Sequence, residues 1–388
     1  MTTSSLTTNL TTLTTTPTTT APTALGQPLL RRWELGELRL PNRVVMAPLT
    51  RARAANAALA PTELHAAYYG QRAAAGLIVT EGTWVSEQAV GFTNVPGIHR
   101  EEQVAGWRRV TEVVHALGGR IVLQLWHTGA ASHPDHLGGE RPGGPSAVDP
   151  RELSFTPSGF QETVTPREMT VAEIERTVAD FGAAAANARR AGFDGVEINA
   201  VGAFLVPQFL SPRLNLRTDR YGGGPAGRRR LLLEIVGATA AAWDGRPAGV
   251  RLSPYWTSGA GFTADERALA EYDGLVTELN DHPVGYLHLR GAEPAVPGGG
   301  PDLGAIARYR RLFHGPLIAN LGFDRASGNA AVAAGIADAV SFGAPFIANP
   351  DLVARFALER ELAVGDPESY YSGGAGGYVD YPVSGWAG

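Results

Sequence analysis

The sequence predicts an α/β fold: a (β/α)8 TIM barrel with an N-terminal β-hairpin and a long lid loop after the third strand. Short apolar runs alternate with amphipathic helical patterns about eight times along 388 residues. No spare strands interrupt the alternation, which argues a parallel sheet, and eight repeats argue its closure into a barrel. Hydrophobic residues make up 44% of the chain, enough for a well-buried core.

The elements follow in order. Residues 1–27 are a Thr-rich tail without apolar periodicity, expected to be disordered. The tail lacks the basic start and apolar stretch of a signal peptide. Residues 28–388 are expected to form one barrel domain. Residues 30–40 read as a β-hairpin turning near Gly36, placed to plug the barrel bottom. Strands are expected at residues 43–48, 77–81, 120–125, 195–199, 248–253, 285–289, 316–320 and 339–343. A helix over 101–117 places Val104, Trp107, Val110, Val114 and Leu117 on one face. Thr170 and Glu173 form a capping box, and Thr263 to Glu266 has the same start signal. The Pro-, Gly- and Ser-rich stretch 130–169 is too long for a passive connection in a compact domain and reads as a lid.

Composition excludes several classes. A net charge of −5 leaves no footprint for nucleic acid. The absence of cysteine removes disulfides, thiolate metal sites and a cysteine nucleophile, and fits a cytoplasmic protein. No apolar run reaches membrane-spanning length. His133 and His136 lack a third ligand, so no metal site is expected.

In a TIM barrel, chemistry sits at the C-terminal strand ends. Those ends carry Thr50, Gly82, Gln124, Trp126, Arg251 and the run Asn320-Leu321-Gly322. Such residues suit a flat, polar-edged ligand with a phosphate tail. The segments Leu40-Pro41-Asn42-Arg43-Val44-Val45-Met46-Ala47-Pro48-Leu49-Thr50-Arg51, Gln124-Leu125-Trp126-His127 and Arg217-Thr218-Asp219-Arg220-Tyr221-Gly222-Gly223 go further. Together with Phe346-Ile347-Ala348-Asn349-Pro350-Asp351-Leu352 and Gly377-Tyr378-Val379-Asp380-Tyr381-Pro382, they resemble the Old Yellow Enzyme family in order and spacing.

The resemblance implies bound FMN, reduction by NAD(P)H and an activated alkene in a small-molecule substrate. It implies that Pro48, Thr50 and Gly82 flank the flavin ring, with Gly82 leaving room beside N5. Gln124 would pair with the pyrimidine edge, and Arg251 would stabilise charge at N1 and O2. Asn320, Gly322 and Phe323 would offer the phosphate their loop, and Trp126 would line the substrate pocket. His127, Asp219 and Tyr221 match as structural residues. No Gly-rich strand–helix turn marks a separate dinucleotide fold, so a nicotinamide would visit the flavin face as a substrate.

Four positions depart from the pattern. The family carries His where this chain has Asn199, and His or Asn where it has Gly202, to grip the substrate carbonyl. A Tyr that gives the alkene its proton is replaced by Phe204. The Arg that follows the glycine of the last strand is replaced by Ala344, after Gly343, and Arg290 or Arg325 could stand in for it. These departures keep two alternatives open: a flavin-dependent alkene isomerase, or a cofactor-free cyclase or binding protein.

Overall fold

The computed structural model describes residues 26–243, 248–296 and 298–383. The Thr-rich tail, apart from its last two residues, lies outside the described residues. Eight parallel strands close a barrel: β1 (Val44–Met46), β2 (Leu77–Trp84), β3 (Ile121–Trp126), β4 (Gly195–Ala200), β5 (Ala248–Leu252), β6 (Tyr286–Arg290), β7 (Leu317–Asn320) and β8 (Ala339–Phe342). Closure is made by β8 on β1, with Ser341 beside Val45. Outside run α1 (Glu63–Gln71), α2 (Glu101–Ala116), α3 (Val171–Arg190), α4 (Leu205–Leu210), α5 (Pro225–Ala241), α6 (Glu266–Glu278), α7 (Leu303–Arg310), α8 (Arg325–Ala333), α9 (Ala344–Ala348) and α10 (Leu352–Ala357).

The alternation of strand side chains divides the barrel into an outer and an inner core. Val196 and Ile198 of β4 face outward into a cluster with Phe181 of α3 and Ile235 of α5. Val45, Val122, Tyr286 and Ile318 face inward, where Trp33, Leu35 and Leu40 meet them from below. Those three residues belong to the antiparallel pair Trp33–Leu35 and Leu38–Leu40, which turns at Gly36 with φ +55°. The hairpin is therefore the barrel's bottom plug. The Tyr286 ring lies across Gly249, where a Cβ would come within 2.1 Å of it, so only glycine fits there.

The stretch 130–169 is more structured than its composition suggests. It holds a β-hairpin, Leu153–Thr156 with Gly159–Glu162. Phe155 of this hairpin packs on Phe92 and Tyr371 at ring distances of 4.9 and 6.1 Å. One start signal is corrected: α6 is capped by Asp265, which accepts the amide of Ala268. Thr263 instead donates its hydroxyl to Asp265.

The C-terminal segment returns to the loop after β1. Buried Arg51 donates to the carbonyls of Tyr370 and Gly377 at 3.1 and 2.6 Å. Buried Arg53 donates to those of Ser369, Tyr370 and Gly374. Beneath them, Glu81 accepts the backbone amides of Arg51 and Ala52, both at 3.2 Å. The tail thereby holds in place the loop that carries Thr50.

Candidate active site

Above the apolar plug, the inward positions turn polar. Glu197 of β4 is fully buried and accepts hydrogen bonds from Gln124 at 2.8 Å and Tyr286 at 3.1 Å. His288 of β6 lies 2.8 Å from the same carboxylate and 2.7 Å from the Ser341 hydroxyl. Despite its burial, Glu197 is held below the usual carboxylate range, chiefly by His288. Sequence reasoning missed this layer. The signal was a Glu two residues before Asn199 in an otherwise apolar strand, hence on the same inward face.

At the next level lie the residues named from sequence. Arg251 of β5 donates through Nη2 to Asn320 at 2.9 Å, and Asn320 in turn donates to the Ser341 carbonyl. The Arg251 Nε is buried with no partner among the described residues. Burial lowers its pKa to about 10, against the attraction of Glu197. Gln124 spends one amide hydrogen on Glu197 and accepts from Asn199 Nδ2 at 3.0 Å. A carboxamide has two hydrogens and two lone pairs, so each end keeps one free. Thr50 and Pro48 are half-buried after β1, and the Thr50 hydroxyl has no partner among the described residues.

Gly82 also has a packing reason of its own. A Cβ there would stand 2.4 Å from the Trp126 ring, so the missing side chain makes room first for that indole. Trp126 stacks on Trp84 at 4.4 Å and takes Phe204 edge-on at 4.7 Å. It is 4% exposed, a fixed wall more than a mobile liner. Asn199, at the end of β4, donates one amide hydrogen to Gln124. Gly202 has φ +66° and gives its N–H to Ser253 Oγ at 3.0 Å.

After β7, Leu321 and Gly322 both adopt positive φ, +88° and +76°. The amides of Gly322 and Phe323 donate to no protein acceptor among the described residues. Gly343 caps the short helix α9, whose first residue, Ala344, is exposed. Loops after the last two strands are where TIM barrels hold phosphate. Of the two candidate stand-ins, Arg325 is ion-paired with Glu359 on the surface. Arg290 also pairs with Glu293, but its Nη1 is buried without a partner and its guanidinium lies 4.8 Å from the Trp256 ring.

These features fit a flavin mononucleotide: a buried guanidinium with an unpartnered Nε, a carboxamide with free positions at both ends, and unbonded amides at the phosphate end. The NADH:flavin oxidoreductase / NADH oxidase family matches residues 28–363.

The chain belongs to this family.

As a member of the NADH:flavin oxidoreductase / NADH oxidase family, it is an FMN-dependent oxidoreductase that takes electrons from NAD(P)H. It is 38% identical to 12-oxophytodienoate reductase 1 of Oryza sativa subsp. japonica over 362 residues, covering 92% of this chain and 93% of the relative. Morphinone reductase superposes with a TM-score of 0.86 at 41% identity, covering 92% of this chain and 96% of that one. A second morphinone reductase structure holds tetrahydroNAD. The old yellow enzyme homologue from Zymomonas mobilis gives 0.85 at 36% identity, covering 91% and 99%. The resemblance found in the sequence is borne out, and neither the isomerase nor the cofactor-free reading is favoured. Among the described residues no helix is long and apolar enough to cross a membrane.

Proposed function

We propose that this protein reduces the activated alkene of a small α,β-unsaturated carbonyl compound, with Arg251, Gln124, Thr50 and Asn199 as the working side chains. When bound, FMN supplies the two-electron chemistry that links NAD(P)H to the alkene. The chain's own residues set the environment. Arg251, oriented by Asn320, puts a desolvated positive charge where the flavin's pyrimidine edge collects negative charge. Gln124 is aimed by Glu197 and Asn199, so its free N–H and lone pair face one direction. Thr50 offers a hydroxyl from a loop that the C-terminal tail holds still. Gly322, Phe323 and the Gly343–Ala344 turn take the phosphate.

Asn199 keeps one amide hydrogen for a substrate carbonyl after serving Gln124. Gly202 adds no side-chain donor, and its amide is committed to Ser253. One missing oxyanion-type donor costs about 2.7–4 kcal/mol of transition-state stabilisation. Strongly polarised alkenes are therefore the preferred class. Phe204 has no proton to give, so protonation falls to solvent or to another hydroxyl.

The buried Arg251 with its unpartnered Nε carries this reading. Glu197 attracts this charge from the layer below, and the free Nε–H is left for a negatively polarised ligand. The experiment is an absorbance spectrum of protein purified after FMN supplementation, followed by NADPH oxidation with 2-cyclohexenone. A flavin band and enone-dependent turnover are expected. A colourless protein that binds no FMN by calorimetry overturns the reading. The dependence on NAD(P)H and the lack of cysteine also support a cytoplasmic setting, which cell fractionation checks.

A further inference from the structure

We propose, resting on the role given to Arg251 above, that His288 takes up one proton from solvent whenever the flavin is reduced and returns it on reoxidation. The buried hydrogen-bond chain around this histidine fits two charge states with the same heavy-atom positions. Glu197 takes donors on both oxygens: Gln124 Nε2 at 2.8 Å, the Tyr286 hydroxyl at 3.1 Å and His288 Nδ1 at 2.8 Å. A carboxyl so surrounded is ionised, and Nδ1 of His288 carries a hydrogen. The other ring nitrogen, Nε2, lies 2.7 Å from Ser341 Oγ. That hydroxyl has a second acceptor in the Ala319 carbonyl at 3.4 Å. With the hydroxyl turned to Nε2, His288 is neutral. With it turned to Ala319, Nε2 keeps its bond to Oγ by carrying a hydrogen of its own, and the ring is a cation. Rotation of one O–H bond separates the two states.

Charge balance selects between them. The ionisable groups facing His288 are Glu197 on β4, Arg251 on β5 and Tyr286 on β6, and burial keeps the Tyr286 phenol neutral. Arg290, further along β6, is paired with Glu293. Gln124, Asn320 and Ser341 come from β3, β7 and β8 and do not titrate, while β1 and β2 give the inner core Val45 and Val79. Arg251 and Glu197 offset each other, and burial then holds His288 below the usual imidazole range. Two-electron reduction by NAD(P)H adds one negative charge beside Arg251. Two buried negative charges then face one positive, and a protonated His288 restores the balance. The bond formed is Nε2–H, its proton comes from solvent, and no electron passes through the ring. The same chain reaches Arg251, because the Ser341 carbonyl accepts from Asn320, which accepts from that guanidinium.

The test is a redox titration of the FMN-loaded enzyme from roughly pH 6 to 8, around and above the ordinary histidine value. Each proton taken up with two electrons lowers the midpoint potential by about 30 mV per unit rise in pH. The wild type is expected to show about 59 mV per unit, one proton going to the flavin and one to His288. His288→Gln should fall to about 30 mV per unit. Ser341→Ala leaves a protonated Nε2 without its acceptor and should fall to the same slope, so it serves if His288→Gln folds poorly. Nuclear magnetic resonance of enzyme carrying nitrogen-labelled histidine gives a direct signature. One imidazole with a bare nitrogen in the oxidised protein should have both nitrogens protonated after dithionite reduction, and His288→Gln should lack that signal. A wild-type slope of about 30 mV per unit overturns the proton uptake. So does a steeper slope that survives in both variants, which would place the second proton on the flavin itself. If the protein binds no FMN, the role of Arg251 fails and the uptake falls with it. The flavin absorbance band, read before any potential, separates that failure from a failure of His288 alone.

Discussion

Phe204 shows how much one atom matters. Its ring meets Trp126 edge-on, and a Cβ at Gly202 would come within 3.3 Å of it. A tyrosine hydroxyl there would add a proton donor beside the substrate-activating positions. Phe204→Tyr should increase net alkene reduction, within the roughly 10²–10⁴-fold range of a positioned general acid. Product formation under NAD(P)H in the two proteins, with equal FMN content, measures it. An unchanged rate would mean that the proton comes from elsewhere. Ala344 and Arg290 test the phosphate end. Ala344 is exposed, so an arginine has room there. Ala344→Arg should tighten FMN binding up to about tenfold, the worth of one charge-assisted bond. Arg290→Ala should weaken it by a similar factor, whereas Arg325→Ala should not, because that residue serves Glu359. Flavin fluorescence titration separates the three, and a larger loss from Arg325→Ala would reverse the assignment.

At the scale of elements, Gly82 links β2 to β3. Gly82→Ala must push Trp126 off its stack with Trp84, since the new Cβ would lie 2.4 Å from the ring. Overpacking of this kind costs about 1–3 kcal/mol. A lower melting temperature with altered tryptophan fluorescence is expected, and an unchanged melting temperature would show that the ring moves freely. The barrel itself was legible. All eight strands were placed from apolar runs, and the hairpin from its turn at Gly36, because buried parallel strands announce themselves by composition. Their ends were less so: β2 runs on to Trp84 through an irregular register that no local signal encodes. For the candidate site, the strand-end residues were named from topology. The layer of Glu197, Tyr286 and His288 was not, because its partners come from strands about ninety residues apart. The inward turn of Asn199 toward Gln124 was likewise a matter of tertiary geometry.

For the whole molecule, buried titratable groups set the response to acid. Burial lowers the pKa of His65 and of His127 to about 3. It raises that of Glu81 to about 7, against the amides of Arg51 and Ala52. The histidines bind protons in the unfolded chain first, so their contribution is lost as pH falls below 6.5. Glu81 holds its proton in the folded state between 4.5 and 7, so its contribution is lost as pH rises through that window. Between pH 4.5 and 6.5 the two histidines outweigh the one carboxyl, and His99, His136 and His288, also lowered by burial, act in the same direction. Stability should therefore rise with pH across this range. His127→Asn, which can still accept the Gly129 amide, should flatten the dependence. Melting temperatures at pH 5 and 6.5 in both proteins check this, and an equal slope in the variant would remove His127 from the account.

The arginine clamp on the C-terminal tail has a consequence for how the protein is made. Arg51 is translated 319 residues before the Tyr370 carbonyl that satisfies it. At ordinary elongation rates this gap lasts on the order of tens of seconds. Throughout that time the loop bearing Thr50 lacks its C-terminal anchor and is held by Glu81 alone from below, and two guanidinium groups must stay hydrated where the finished fold is dry. A ribosome that stops short of residue 369 thus releases a barrel with every strand present and no settled flavin site.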